Sequence, residues 1–172
     1  MPNRKIIPCL WFETNCEEAV NYYIETFNGS PRKAGQSKIV SLDRYEKGFD
    51  APGAEQMQGK VLTVIFELDD ARFMALDGGP VFTPSEAVSF QIECEDQEEV
   101  DYFTDKLSAV PEANICGWVK DKFGYSWQIT PKRLNELMQD PDRAKAHRVG
   151  NAMLKMHKII ISDLEKAAAG KE

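Results

Sequence analysis

Residues 7–28 (IPCLWFETNCEEAVNYYIETFN) and residues 87–108 (AVSFQIECEDQEEVDYFTDKLS) decide the fold, because the second segment repeats the first at an offset of 80 residues. Matched positions carry identical or similar side chains, as in these pairs: Glu13 with Glu93, Glu18 with Glu98, Val20 with Val100, Tyr22 with Tyr102. An internal repeat of this kind is typical of a duplicated structural unit. We therefore expect two copies of one supersecondary unit.

Each copy of the repeat begins with a strand that leads into a helix. In the first copy the apolar run at residues 6–12 predicts a strand. Residues 14–17 then have the spacing of a capping box, ahead of a helical apolar stripe that ends at Gly29. In the second copy residues 87–94 predict a strand, and Asp96 with Glu99 repeats the cap spacing.

The remainder of the first unit is predicted to be β-structure. Residues 37–45, 60–68 and 72–76 predict three strands, joined by a loop at residues 46–59 and a turn at Asp69-Asp70. The first unit is therefore expected to be βαβββ.

The second unit is shorter. Residues 108–114 separate its helix from a strand at residues 115–121, which turns at residues 122–124 into a last strand at residues 125–130. The middle strand of this copy is therefore expected to be reduced or missing.

Two Pro-initiated helices are predicted after the second unit. Thr130-Pro131 and Asp140-Pro141 each place a capping residue before a proline at the expected first helical position. The last helix carries an apolar stripe from Val149 to Ala167, wide enough to pack on its own domain or on a dimer partner. The expected organisation, in chain order, is two tandem units in residues 1–131 (about 1–80 and 81–131), then a helical extension in residues 132–172.

Composition excludes several classes of partner. A chain of 172 residues with 42% hydrophobic residues can build a real core. Its net charge of −7 and scattered Lys and Arg residues argue against a nucleic-acid partner. No apolar run approaches the roughly 20 residues of a membrane span, and the amino-terminal apolar run is too short for a signal peptide. We expect a cytoplasmic protein that has no membrane partner.

The four cysteines lie far apart in the sequence. Cys9, Cys16, Cys94 and Cys116 form no CxxC pair and no Cys/His cluster with metal-ligand spacing. Reduced and mostly buried thiols are the expected state.

The tandem βαβββ pattern resembles the vicinal oxygen chelate superfamily, which includes glyoxalases, bleomycin-resistance proteins and extradiol dioxygenases. Within it, three segments are similar to the PhnB-like branch, often labelled 3-demethylubiquinone-9 3-methyltransferase: PCLWF at residues 8–12, CGWVKDKFGYSWQITP at residues 116–131 and AMLKMHKIIISDLEKA at residues 152–167. The resemblance implies an α+β fold in which each unit forms a half-barrel cup.

The resemblance also indicates where a metal would bind. Metal-using members take four His or Glu ligands from the first and last strands of the two units, at positions that correspond here to Ile7, Met74, Ala87 and Gln128. Two hydrocarbons, a thioether and an amide are not the ligands that divalent cations favour. We therefore expect no metal at this site and no other cofactor.

Strand alternation predicts which side chains line the cups. Leu10 and Phe12 in one copy, with Phe90 and Ile92 in the other, have the parity that meets the helices. Residues of the opposite parity are expected to form a partly apolar, aromatic pocket. The expected ligand-binding residues are Cys9, Trp11, Met74, Ser89, Gln91, Trp118 and Gln128.

Familiar catalytic arrangements are not found in the sequence. No Gly-rich strand-to-helix turn followed by an acidic residue supports an S-adenosylmethionine site. Both histidines, His147 and His157, fall in the predicted terminal helices, so no Cys-His or Ser-His-Asp system is expected near the cups. The catalytic residues, if the protein is an enzyme, are not identified.

Three functions are compatible with these features. The favoured one is a metal-free, homodimeric PhnB-like protein that binds a small organic molecule. Members of the superfamily that sequester cationic antibiotics use acidic, aromatic clefts, with which a charge of −7 and three Trp residues agree. The second is a glyoxalase-like lyase or isomerase, or an enzyme that uses Gln128, Glu13 and Gln91 without a metal. The third is a structural dimer with closed cups.

Overall fold

The computed structural model describes residues 5–48 and 53–171 and divides into two compact units. Unit 1 comprises Met1–Gly29 and Lys33–Pro84, and unit 2 comprises Ser30–Arg32 and Ser85–Glu172. The elements of unit 1 are β1 (Cys9–Phe12), α1 (Cys16–Asn28), β2 (Lys38–Arg44), α2 (Ala54–Met57), β3 (Val61–Leu68) and β4 (Ala71–Asp77).

Unit 1 is a four-stranded sheet with its helix on one face. The strand order is β1-β4-β3-β2, in which β1 runs parallel to β4 and the other pairs are antiparallel. The apolar stripe of α1 packs on β3 and β4. Val20 and Tyr23 of the helix are fully buried there, and Leu10 and Phe12 of β1 lie in the same core. The predicted parity of β1 is therefore confirmed.

Unit 2 repeats this arrangement with one strand fewer. Its elements are β5 (Ser89–Cys94), α3 (Gln97–Leu107), a 3₁₀ turn (Pro111–Ala113), β6 (Trp118–Lys120), β7 (Ser126–Pro131), α4 (Lys132–Met138), α5 (Arg143–Met153) and α6 (Ile161–Ala168). The strand order is β5-β7-β6, again with a parallel first pair. In the part of the chain that the structure describes, the 3₁₀ turn stands where unit 1 has β2. The α+β fold is confirmed, and the sheet of unit 2 has three strands where that of unit 1 has four.

The predicted capping box at the start of α1 is wrong. Asn15 is the N-cap residue, and its side chain makes no capping hydrogen bond. The Cys16 N–H instead donates to Oδ1 of Asp77, at the end of β4, over 2.8 Å. A local spacing rule misses this cap because its acceptor comes from a strand 61 residues further along the chain.

The start of α3 follows the predicted local pattern. Oδ1 of Asp96 accepts a hydrogen bond from the Glu99 N–H at 3.1 Å. The Glu99 carboxylate reaches back to the Glu95 N–H at 2.7 Å and accepts from the Ser30 hydroxyl at 2.9 Å. This helix therefore has a reciprocal cap close to the capping-box arrangement.

Neither proline beyond residue 130 is the first residue of a helix, so that prediction is wrong. Pro131 ends β7 in an extended conformation and is itself the N-cap of α4. Asp142, one residue after Pro141, caps α5 by accepting from the Ala144 and Lys145 N–H groups. The first helical residues are Lys132, one residue after Pro131, and Arg143, two residues after Pro141.

The single terminal helix predicted from the apolar stripe is two helices. Between α5 and α6 the chain leaves the helix, and the carbonyls of Met156 and His157 accept from the N–H groups of Cys116 and Gly117 at 2.7 and 3.1 Å. The Gln97 side chain donates to the Ile159 carbonyl and accepts from the Ile161 N–H. Tertiary hydrogen bonds thus override the helical periodicity, and His157 lies in this connection rather than in a helix.

The apolar stripe of these terminal helices is buried within unit 2. Val149 and Leu164 are fully buried, and so is Ile159 in the connection. Packing on its own unit therefore accounts for the stripe, and Leu154 remains exposed.

Two connections in unit 1 were predicted from sequence. Asp69 and Asp70 join β3 to β4 with φ values of 45° and 63°, the left-handed pair that a tight hairpin turn requires. The predicted loop at residues 46–59 includes the short helix α2, and its residues 49–52 lie outside the described part of the chain. Among residues 5–48 and 53–171, every helix is too short or too polar to span a membrane.

Candidate ligand-binding site

The three expected ligand-binding residues of unit 1 lie together on the face of the sheet opposite α1. Cys9 of β1 is in register with Met74 of β4, and Trp11 is in register with Leu76. Cys9 is exposed and the other three are half-buried. This face is therefore apolar and only partly covered.

Trp11 is held in place by the chain that follows β4. Its Nε1–H donates to the Gly79 carbonyl at 2.9 Å, and its ring meets the edge of Phe82 with centroids 4.9 Å apart. A side chain at position 78 would overlap the indole, so Gly78 is needed for this close approach. The indole's hydrogen-bond donor is thus used within unit 1, and the residue has a structural role whether or not it touches a ligand.

The four expected residues of unit 2 also share one face. Gln91 of β5 pairs in register with Gln128 of β7, which pairs with Trp118 of β6. Ser89 lies one row away, and its hydroxyl accepts from Nε2 of Gln128 at 2.8 Å. The structure therefore brings two amides, a hydroxyl and an indole side by side across three strands.

A cleft of about 520 Å³ opens at the β6 edge of this row. It lies between β6 and the end of α5, and its volume is in the range of small-molecule sites. Trp118 is the expected residue that lines it. The lining also includes Ile115, Met153 and Leu154, large apolar side chains that are not among the residues expected from the sequence.

The sequence contains no signal that identifies these residues as cleft residues. Ile115 and Leu154 keep 58% and 61% of their surface exposed although both are large and apolar. Met153 and Leu154 were assigned to the middle of a continuous helix, whereas α5 ends at Met153 and so presents them at the cleft. The position of Met153 and Leu154 at the cleft therefore follows from the end of α5, which the sequence pattern does not predict.

The polar part of the cleft is electrically balanced. Lys120 and Glu86 form an ion pair in its wall, and the hydrogen bond from Lys120 holds the pKa of the Glu86 carboxyl below its ordinary value. Ser126, a buried residue of β7, adds a hydroxyl-bearing side chain. The lining therefore offers an apolar surface and an aromatic ring, with no excess charge.

The positions that correspond to metal ligands do not form a donor set. Met74 and Gln128 lie within β4 and β7, whereas Ile7 and Ala87 are exposed and precede β1 and β5. Within the described residues no three His, Cys, Asp or Glu side chains are grouped so that they could hold a metal ion. The residues present do not fit the metal chemistry that the superfamily implies.

Three of the four cysteine thiols are poorly suited to nucleophilic chemistry. Burial raises the pKa of Cys16 and Cys94, and partial desolvation raises the pKa of Cys9, above the ordinary value of 9.0, which leaves little thiolate at neutral pH. Cys116 lines the cleft, and none of the four cysteines is in a disulfide. His147 lies on α5, and Nδ1 of His157 contacts the Asn114 carbonyl at 2.7 Å.

Comparisons with known proteins agree with this architecture. A family model described as 3-demethylubiquinone-9 3-methyltransferase matches residues 4–130. A structure titled as a putative 3-demethylubiquinone-9 3-methyltransferase, PhnB protein, from Bacillus cereus is 34% identical, with a TM-score of 0.58. The alignment covers 74% of this chain and 99% of that one. A search of curated proteins found no match.

A second solved structure supports the fold alone. Protein PA1353 from Pseudomonas aeruginosa is 19% identical over 75% of this chain and 98% of its own, with a TM-score of 0.51. The family match ends at residue 130, so α4, α5 and α6 lie beyond it. Met153 and Leu154, which line the cleft, therefore belong to the part of the chain outside the family match.

Proposed function

The chain belongs to the 3-demethylubiquinone-9 3-methyltransferase (PhnB-like) family, and from that premise we propose that it is a metal-free protein that binds a small, mostly apolar organic molecule in the cleft of unit 2. The observation that carries the proposal is the lining of that cleft. Exposed Ile115 and Leu154 stand beside the Trp118 ring, in a concavity large enough for a ligand.

The chemistry of the lining indicates an uncharged ligand. A cationic molecule would need an unpaired carboxylate or an open aromatic cage, and the Glu86 carboxylate in this cleft is already paired with Lys120. Burial of apolar ligand surface stabilises a complex by roughly 25 cal/mol per Å², which a neutral aromatic molecule would gain against Trp118 and Leu154. Ser126 supplies a polar side chain in the lining for orientation.

Methyl transfer is not part of the proposal, although the family description mentions it. Gly78 and Gly79 directly follow β4, but the next regular element is the strand β5 and not a helix. A methyltransferase that uses S-adenosylmethionine usually binds it at a Gly-rich turn between a strand and a helix. The turn at Gly78 and Gly79 does not lead into a helix and so lacks this arrangement.

The experiment uses neutral and cationic aromatic fragments as probes, with binding followed by amide chemical-shift changes in the full chain. Leu154→Lys places a charge in the cleft at an exposed position, and Val88→Lys does the same at an equally exposed site of unit 2 outside it. We expect neutral fragments to bind wild type and V88K, and to bind L154K about tenfold more weakly. Neutral fragments that bind all three proteins equally, or none of them, would contradict the proposal.

The proposal also includes a homodimer in the cytoplasm. Strand β2 is an edge of its sheet and exposes Ile39 and Val40, a surface that a second copy can cover. The four free cysteines agree with a reducing compartment. Light scattering after size exclusion is expected to give twice the 19.5 kDa of one chain, and a mass of one chain at about 100 µM would contradict the dimer.

A further inference from the structure

A second cavity of about 510 Å³ lies between α5 and α6, separate in its lining from the cleft at Trp118. Both helices lie beyond the family match. The charged side chains that line this groove are four cations and one carboxylate: Arg148, Lys155, Lys166, Lys171 and Asp163. An excess of three positive charges is therefore concentrated in one groove of a chain whose net charge is −7.

The guanidinium group in this groove has a fixed position. Nε of Arg148 donates to the Ala167 carbonyl at 3.0 Å, and one of its terminal nitrogens donates to the Ala168 carbonyl at 2.8 Å. These two contacts use carbonyls at the carboxyl end of α6 that would otherwise face the groove with negative partial charge. Because the Arg148 guanidinium occupies these carbonyls, the carboxyl end of α6 repels an anion in the groove less strongly.

The turn after α6 brings a further lysine back to the groove. Gly170 has φ +68°, the Lys171 N–H donates to the Lys166 carbonyl at 3.0 Å and the Gly170 N–H donates to the Ala167 carbonyl at 3.1 Å. This pattern is a Schellman cap, which reverses the chain and needs glycine at the left-handed position. The reversal places Lys171 at the same groove as Lys166.

Two of the lysines have no ion-pair partner among the residues that the structure describes. Asp163 is paired with Lys166 at 2.7 Å. In the described part of the chain no carboxylate lies within ion-pair distance of Lys155 or Lys171. We propose that this groove binds the dianionic phosphate group of a small molecule or free phosphate itself, held by Lys155, Lys171 and the Arg148 guanidinium.

The choice of a phosphate rests on charge and geometry. A dianion offsets most of the three excess charges, whereas a single carboxylate would leave two of them unbalanced. Phosphate also offers enough oxygens to accept from two ammonium groups and a guanidinium together. This inference is independent of the ligand proposed for unit 2's cleft.

The test compares wild type with Lys155→Gln/Lys171→Gln, a variant that leaves the Lys166–Asp163 ion pair intact. Lys33→Gln/Lys106→Gln is the control, because it makes the same change in net charge with residues that do not line the groove. Inorganic phosphate and glycerol 3-phosphate are titrated separately at low ionic strength, and binding is followed by amide chemical shifts of residues 148–171. We expect wild type and the control to bind with equal affinity, and K155Q/K171Q about fivefold more weakly.

The outcomes distinguish a phosphate-binding site from a purely structural role, in which Lys155 and Lys171 only stabilise the carboxyl ends of α5 and α6 by their charge. If K155Q/K171Q only lowers the melting temperature, and phosphate neither shifts groove amides nor raises the melting temperature of wild type, the lysines act as helix-end charges and the proposal is wrong. Equal binding by all three proteins also overturns it. Tighter binding of glycerol 3-phosphate than of phosphate identifies an ester as the ligand class, and the reverse order identifies the free ion.

Discussion

Unit 1 and unit 2 keep the same buried positions in their repeated helices but begin those helices in different ways. Val20 and Val100 occupy equivalent positions and are both fully buried. The first N–H of α1 is capped by Asp77 from a strand, whereas α3 is capped by Asp96 beside it in sequence. The two units therefore share the periodic pattern of buried residues. They differ in the residue that accepts hydrogen bonds at the start of the helix, which is distant in sequence for α1 and local for α3.

The largest expected difference in stability is between variants of Trp127, in the core of unit 2, and of Trp11, on the face of the unit 1 sheet opposite α1. Trp127 is 1% exposed in the core of unit 2 and donates to Oδ2 of Asp121 at 2.8 Å. We expect Trp127→Ala to lower the free energy of unfolding by about 3–5 kcal/mol, since it leaves a cavity and a buried carboxylate that has lost a donor.

Trp11→Ala is the matched change in unit 1 and is expected to cost about 1–2 kcal/mol, because the ring is half-buried and makes one hydrogen bond. Urea unfolding followed by circular dichroism measures both variants. Equal losses would show that the face opposite α1 is as tightly packed as the core of unit 2.

The helix caps give the next largest effect. Asp77→Ala leaves the buried Cys16 N–H without its acceptor and is expected to cost about 1–2 kcal/mol. Asp96→Ala is expected to cost about 1 kcal/mol, and Asp77→Asn, which keeps an oxygen acceptor, much less. If D77A and D77N had the same free energy of unfolding in urea, the hydrogen bond from Cys16 to Asp77 would contribute nothing to stability.

Asp77 also predicts a pH dependence of the stability. Burial raises the pKa of Asp77 above its ordinary value of 3.8, against hydrogen bonds from Cys16 that lower it. The folded state therefore binds this proton more tightly than the unfolded chain does, and the resulting stabilisation is lost as the pH rises from the ordinary value through the raised one. We expect the stability of wild type relative to D77N to fall over that window. A difference that rises with pH would contradict the raised pKa.

Gln97 and Glu17 occupy equivalent positions in the two repeats, and Gln97 tests how the terminal helices are attached to α3. Gln97 links α3 to the chain before α6 through the Ile159 carbonyl, at 3.0 Å, and the Ile161 N–H, at 2.8 Å. We expect Gln97→Ala to cost about 1–2 kcal/mol and to accelerate amide exchange in α6. Unchanged exchange there would show that the buried Leu164 and Ile159 hold α6 without this link.

The smallest effect is expected at Glu17. This residue forms an exposed ion pair with Arg44 at 2.8 Å. Glu17→Ala should therefore cost less than about 1 kcal/mol in low salt, and the difference should nearly vanish in about 0.5 M NaCl. Thermal unfolding at the two salt concentrations measures this change, and a salt-independent loss would indicate packing rather than charge.

Much of the fold was predictable because its signals are local. The alternation in β1 correctly assigned Leu10 and Phe12 to the helix side of the sheet, and the stripe that contains Val20 and Tyr23 correctly predicted α1. The same reasoning failed at the terminal helix, since the apolar periodicity continues through residues 154–160 although the carbonyls of Met156 and His157 accept from Cys116 and Gly117. A hydrophobic pattern predicts which side chains are buried, but it does not predict the hydrogen-bond partners of the backbone.

The site was predictable only in part for the same reason. Strand parity placed Gln128, Ser89 and Trp118 on one face, where the register brings them side by side. It did not identify Ile115 and Leu154, because a cleft forms between segments whose distance is set by packing.

The amino-acid sequence alone determined the duplicated strand–helix units, the buried stripes and a donor set unsuited to a metal, because each of these follows from residue type and short-range period. Tertiary structure decided the cap of α1 by Asp77, the division between α5 and α6, and the two cavities that those helices border. These features depend on groups distant in sequence meeting at hydrogen-bond or van der Waals distance, and no local pattern encodes such a meeting.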